Sequence, residues 1–219
     1  MNDERYHGPL ITNEVSIGYI KLFPWIALFI SSLLFWGMTF IDKLGIYKIL
    51  FIFCISSCGV AILISFFYKL ILKFKSLIYL LISLIILVLL IDVDFICLLM
   101  LVGNEGIYSE VSIIYNFVML SIFVLSCSLY SWYYFPKNRG KVWTFNQVGS
   151  GDKKKEWRTT AALAFIGAIL GPTLLTGYIE KAFGILFGIL ITVTLPAVIV
   201  DAVYAAIYVR KNPDYDELN

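Results

Sequence analysis

The side chains able to do chemistry are few, and the acids in apolar surroundings come first. Asp92, Asp94 and Asp201 lie within stretches that otherwise read as continuous apolar sequence. An ionisable group inside a bilayer is costly, and its default roles are ion, proton or partner contact. Asp201 follows Leu-Pro-Ala-Val-Ile-Val and precedes Ala-Val-Tyr-Ala-Ala-Ile-Tyr-Val; the nearest basic residues, Arg210 and Lys211, lie more than two helical turns away. An unpaired charge there costs several kcal/mol, so this carboxyl is expected to be protonated, hydrated or bonded to a neighbour. Tyr204, three residues on, is the local candidate. The plainest expectation is a structural hydrogen bond to another helix, with an ion, proton or partner contact as the alternative. Asp92 lies 16 residues beyond Ser76, where its span begins, or about 24 Å along a helix. That distance predicts that Asp92 and Asp94 mark the end of a span, with 95–102 forming a short interfacial or re-entrant piece; ion or partner contact is again the alternative.

Other chemistries find little support. Cys54 and Cys58 stand at i, i+4 on one helix face, but His7, the single histidine, is in the N-terminal tail. Small apolar filling is the expected role of Cys54 and Cys58, and no metal site is expected; with Cys97 and Cys127 also inside spans, the cysteines carry no sign of redox compartment. A serine- or cysteine-based triad within the membrane has no histidine to use. The segment Gly149-Ser-Gly-Asp-Lys-Lys-Lys155 lacks the Gly-Lys-Ser/Thr order of a phosphate loop. No cofactor is expected, and the protein is read as a non-enzyme.

The elements that must position these acids are membrane helices. Of 219 residues, 60% are apolar and 15% charged, with a mean hydropathy of +0.88; soluble domains are nearer 25% charged. Disorder is excluded by the hydrophobicity, and a nucleic-acid partner by a net charge of only +2. Apolar runs of roughly twenty residues predict an all-α polytopic membrane protein with about six spans. The expected spans are 22–41, 49–68, 76–102, 111–135, 159–179 and 183–209. The organisation is thus an N-terminal tail (1–21), a four-helix region (22–135), a basic loop (136–158), a helical hairpin (159–209) and a C-terminal tail (210–219). The first span is expected to be a retained helix rather than a cleaved signal peptide, and no lipid anchor is indicated. With both termini cytoplasmic, 14 of the 17 basic residues fall on inner segments and 3 on outer ones, the orientation expected from the positive-inside rule; taking a bacterial host, the membrane is the inner one. Trp25, Trp132 and Trp157 stand near predicted span ends, where amphipathic rings prefer to lie.

The last two spans differ from the first four. Nine of the eleven alanines lie between 159 and 209, with Gly167-x-x-x-Gly171 in the fifth span and Gly184-x-x-x-Gly188 in the sixth. Small residues let helices approach closely in lipid. Joined by only Glu180, Lys181 and Ala182, the two spans are expected to form a tight hairpin, its glycine faces packed on each other or on a second copy. Ordinary packing within the chain is the plainer expectation, and a homo-oligomer seam the alternative. Pro172 and Pro196 interrupt these helices, and Thr173, Thr176, Thr192 and Thr194 are placed to satisfy the freed carbonyls. The loop 136–158 carries seven basic residues, among them Lys153, Lys154, Lys155 and Arg158, interleaved with Trp143, Phe145 and Trp157. Beside a bilayer this composition predicts binding of anionic lipid headgroups.

Outer connections of about 7, 8 and 3 residues leave no room for a receptor domain. The architecture is similar to that of bacteriocin or toxin immunity proteins, and of proteins that bar a second conjugative element from the cell. That likeness implies self-protection through contact with another membrane protein or a membrane-active toxin within the bilayer. The alternative is a small transporter or channel subunit using the intramembrane acids.

Overall fold

A computed structural model describes residues 17–134 and 178–211. Among these residues the structure is helical, with no strand. A short 3-10 turn (Ile17–Lys21) leads into α1 (Phe23–Ile41), followed by α2 (Ile46–Ser65), a single-turn α3 (Tyr68–Lys73), α4 (Lys75–Val102), α5 (Glu110–Tyr134) and α6 (Ile179–Lys211). Five of these, all but α3, are long and apolar enough to cross a membrane. The chain is therefore an all-α, multi-pass membrane protein in architecture. The expected fifth span, with Gly167, Gly171, Pro172, Thr173 and Thr176, lies outside the described residues, as does the basic loop with Lys153, Lys154, Lys155 and Arg158.

Helix starts follow local chemistry. Pro24 occupies the first turn of α1, where its missing N–H removes no helical bond. The α2 helix begins one turn earlier than its apolar run. Gly45 takes a left-handed conformation (φ 77°), and the Asp42 carboxylate accepts hydrogen bonds from the N–H groups of Gly45 (2.8 Å) and Lys48 (2.9 Å). A side-chain acceptor at free N–H groups is what starts a helix. Lys48 is thereby drawn into α2, and the helix ends at Ser65 rather than at Tyr68.

The third span is one continuous helix of 28 residues. No interfacial or re-entrant piece separates 95–102, because apolar residues continue past the two acids and the helix stops only at Gly103 (φ 68°). The expected joint Glu180–Ala182 likewise lies inside the first turn of α6.

The α4 helix is central. It packs against α1, α2, α5 and, most extensively, α6. It lies antiparallel to α6: Gly184 meets Cys97, Ser83 Oγ donates to the Ile199 carbonyl (3.4 Å), and Ser76 Oγ donates to the Ala206 carbonyl (2.8 Å). By contrast α5 and α6 are parallel, since Tyr115 meets Gly188 near their starts and Tyr204 Oη donates to the Ser131 carbonyl (3.0 Å) towards their ends. The chain therefore leaves α5 at one end of the bundle and begins α6 at the other.

Two apolar clusters fill the interior. One joins Ala27, Cys54, Cys58 and Ala61 to Ile82 and Ala205; the other joins Met38 and Phe51 to Phe95, Leu98 and Met119. Large apolar side chains such as Phe29, Trp36, Phe117 and Leu125 point outward, as expected where the surrounding solvent is lipid tails.

Candidate functional site

All three acids singled out in the sequence are drawn into the bundle. Asp92 and Asp201 are fully buried and Asp94 is half-buried. Asp92 and Asp94 stand two residues apart on α4, so at about 100° per residue they face opposite sides of the helix. Asp92 looks towards α1 and α2. Ser31 Oγ of α1 donates to its Oδ2 at 2.7 Å, and the thiols of Cys54 and Cys58 lie within reach of its charge. The other oxygen, Oδ1, has no hydrogen-bond partner among the described residues. Asp94 looks towards α5 and α6. Thr192 Oγ1 lies 2.9 and 3.0 Å from its two oxygens, 2.7 Å from the Gly188 carbonyl and 3.8 Å from Met119 Sδ.

These contacts correct the depth expected for Asp92. Ser31 is the ninth of the 19 residues of α1, or about 12 Å from its start. Its partner therefore sits near the middle of the first crossing, not at the far surface. Carboxyls at that depth are held by neutral hydroxyls; among the described residues neither Asp92 nor Asp94 makes an ion pair.

Gly184 and Gly188 make this geometry possible. A Cβ on Gly184 would come within 2.7 Å of the Cys97 carbonyl oxygen and 3.0 Å of Met100 Cβ. A Cβ on Gly188 would collide with the Tyr115 hydroxyl and lie 3.1 Å from Met119 Cε. The second glycine pair thus packs on α4 and α5 of the same chain, not on a second copy. The small residues serve close approach, and the occupant of the slot is a helix backbone and a phenol. Tyr115 is buried, and its hydroxyl has no hydrogen-bond partner among the described residues.

On α6 the four consecutive residues Ile199–Ala202 are buried, so the helix is enclosed on every side at Asp201. Tyr204 is not simply a local partner for that acid, since its hydroxyl donates to the Ser131 carbonyl. Pro196 lies buried within α6 and leaves the Thr192 carbonyl without its helical donor. The nearby threonines do not serve that carbonyl: Thr192 Oγ1 turns to Gly188 and Asp94, and Thr194 Oγ1 donates to the Leu190 carbonyl at 2.8 Å. The four cysteines are free thiols, and no group of three metal-ligating side chains occurs among the described residues.

A second polar cluster closes one end of the bundle. Besides its two backbone donors, Asp42 accepts a hydrogen bond from the Tyr108 hydroxyl in the α4–α5 connection. Burial alone would raise this carboxyl, but the Tyr108, Lys48 and Gly45 hydrogen bonds and the Lys48 charge outweigh it and hold Asp42 below the usual carboxylate range. Burial and the same bond push Tyr108 up to about 12. Tyr47 packs nearby, its ring tilted against Phe95 (4.8 Å between centroids) and Tyr108 (5.6 Å).

Sequence reasoning did not single out Ser31, Tyr115, Asp42 or Tyr108, and placed Thr192 only as a neighbour of Pro196. Serines and tyrosines are frequent in apolar helices, and nothing in their spacing marks these. Asp42 did carry a signal, an acid placed before a glycine at a helix start. The chain matches no protein-family model, no curated protein and no solved structure.

Proposed function

We propose that this protein is a small, non-enzymatic carrier or channel subunit of a bacterial inner membrane, handling a proton or small cation through the acids of α4. The observation that supports this reading best is the pair Asp92 and Asp94, enclosed near mid-depth and held by neutral hydroxyls. Intramembrane acids that face a bundle interior mark ion and proton paths, and a carboxyl bound only to hydroxyls remains able to change its charge. The same burial argues against these acids touching a second protein directly. Six crossings with both termini cytoplasmic fit the basic-residue distribution, and parallel α5 and α6 are what a further crossing between them requires. The test is flux into proteoliposomes holding the full chain, under imposed proton and alkali-cation gradients. The expected result is a flux that falls at least tenfold in Asp94→Asn at equal incorporation. No flux of either kind in the unmodified protein overturns the proposal.

A second reading is protein contact in the bilayer for self-protection, against a toxin or an incoming conjugative element. It is favoured by the short connections 42–45 and 103–109, which leave the lipid-facing helix faces as the contact surface. Photo-crosslinkers at Phe29, Trp36 and Phe117, all exposed, test it. One dominant foreign partner supports this reading; the absence of any foreign crosslink sinks it.

A further inference from the structure

We propose that the Asp94 side of α4, and not the Asp92 side, is the exchange site, and that its cargo is a proton passed to and from a water molecule at the Tyr115 hydroxyl. This rests on the reading that the α4 acids handle a proton or small cation, and it chooses between them.

Thr192 has one hydroxyl proton and two acceptors within reach, Asp94 at 2.9 and 3.0 Å and the Gly188 carbonyl at 2.7 Å. With Asp94 protonated, the carboxyl donates to Thr192 Oγ1, and Thr192 donates to Gly188. With Asp94 ionised, Thr192 turns its proton onto the carboxylate. Both charge states are hydrogen-bonded without moving a heavy atom. The Asp92 site is poorer. A proton on Oδ2 can be given to Ser31 Oγ, but the serine proton then has no second acceptor among the described residues, and Oδ1 has no partner there in either charge state; the residue is fully enclosed.

The Tyr115 hydroxyl supplies an independent observation. It is 94% buried by the residue's 6% exposure, lacks a partner among the described residues, and rests on Gly188, whose carbonyl Thr192 reaches. A buried polar group of this kind is where an internal water binds. Gly188 and Met119 link it to Asp94, since both meet Thr192 Oγ1 on one side and the Tyr115 end of α5 on the other. A metal ion fits less well: Thr192 lies at direct hydrogen-bond distance from both Asp94 oxygens, leaving no space between them, and no cluster of three ligating side chains occurs among the described residues. Among the described residues, the titratable groups near Asp94 are Tyr115 from α5 and Cys97 from its own helix; α6 offers Thr192, and Asp92 points to the other side.

In the release step the O–H bond of Asp94 breaks, its electron pair stays on the carboxylate, and the proton joins the water as hydronium. Thr192 then rotates its own proton from the Gly188 carbonyl to Asp94. Uptake is the reverse, and no oxidant or reductant is involved.

Infrared difference spectroscopy of the full chain in lipid nanodiscs, titrated in pH, reads the carboxylic-acid carbonyl stretch directly. The expected result is one component of that band that vanishes as pH rises, is missing in Asp94→Asn and is retained in Asp92→Asn. Thr192→Val is expected to move its midpoint by at least one pH unit and Thr192→Ser to restore it. Tyr115→Phe is expected to slow hydrogen–deuterium exchange of the band at least tenfold with the midpoint unchanged. Titrating components that are all unchanged in Asp94→Asn, or the absence of any titrating component, overturn the proposal. If Asp94→Asn does not fold, the Thr192→Val and Thr192→Ser pair carries the test. A band that behaves as expected in a protein that passes no ions keeps the exchange site and removes the carrier reading. Cation flux that persists in Asp94→Asn keeps the carrier and removes the proton.

Discussion

The two sides of α4 carry the same chemical group in unlike surroundings. Towards α1 and α2, Asp92 is fully buried, with the single hydroxyl of Ser31 for company and Cys54 and Cys58 nearby. Towards α5 and α6, Asp94 is half-buried beside a threonine with two acceptors, a phenol with no partner among the described residues and two glycines that admit neighbouring groups. The difference teaches that residue type alone does not assign a role to an intramembrane acid. A spacing of two residues on a helix sends the acids to opposite faces, and what each face meets then decides whether a carboxyl is locked or free to exchange.

The largest effect is expected from closing the glycine slot. Gly184→Leu would force a side chain against the Cys97 carbonyl, which belongs to a helix backbone and cannot swing aside. Overpacking of this kind costs about 1–3 kcal/mol or more, so unfolding in mixed micelles should shift strongly and Asp94 should lose Thr192. Unchanged stability would mean that α6 is not held on α4 as described. On the sealed side, Ser31→Ala leaves the buried Asp92 without its hydrogen-bond donor among the described residues and is expected to destabilise by about 1–3 kcal/mol. The comparison is sharpened if that variant leaves the pH titration of the protein untouched while Thr192→Val, at similar stability, moves it. It breaks if both variants move it alike.

Asp42 ties the two sides together at one end, and its removal should rank next. Asp42→Ala strips an acceptor from Gly45, Lys48 and Tyr108, with an expected loss of about 1–2 kcal/mol. The folded carboxyl is held below its ordinary value, near 3.9 for an aspartate. As pH falls, the unfolded chain therefore binds the proton first. The stabilisation is complete above the ordinary value and drains away as pH drops through the lower folded value. Stability measured downward from pH 5 should show this decline in the unmodified protein and a weaker one in Asp42→Ala. The smallest effect is expected from Tyr204→Phe, which removes one bond to the Ser131 carbonyl; hydrogen bonds between membrane helices average about 0.6 kcal/mol. A loss several times larger would show that α5 and α6 depend on each other more than on α4.

Much of the helical frame was legible in the apolar runs. The first, third and fourth described spans match their expected limits to within a residue. The second is displaced by three, because a run of hydropathy does not register that Asp42 can start a helix at Ile46. The same blindness put a break inside the third span, whose outer limits agree: two acids read as a boundary when the bundle supplies hydroxyls for both. The Gly184–Gly188 spacing announced close packing but not its partner, since a small face fits a second copy, a hairpin mate or α4 equally well. Ser31 and Tyr115 were invisible as site residues because their significance lies in what other helices bring to them.

The separations along the chain give the two sides of α4 different histories. Ser31 precedes Asp92 by 61 residues and has already been made when α4 leaves the ribosome. Thr192 follows Asp94 by 98 residues, and at about 5–20 residues per second its arrival lags by on the order of 5–20 s. The sealed side can close during synthesis, while Asp94 waits for the last helix to be delivered. Any block to synthesis or insertion of α6 would leave a nascent protein with one acid sheltered and the other exposed, a natural mark for membrane quality control.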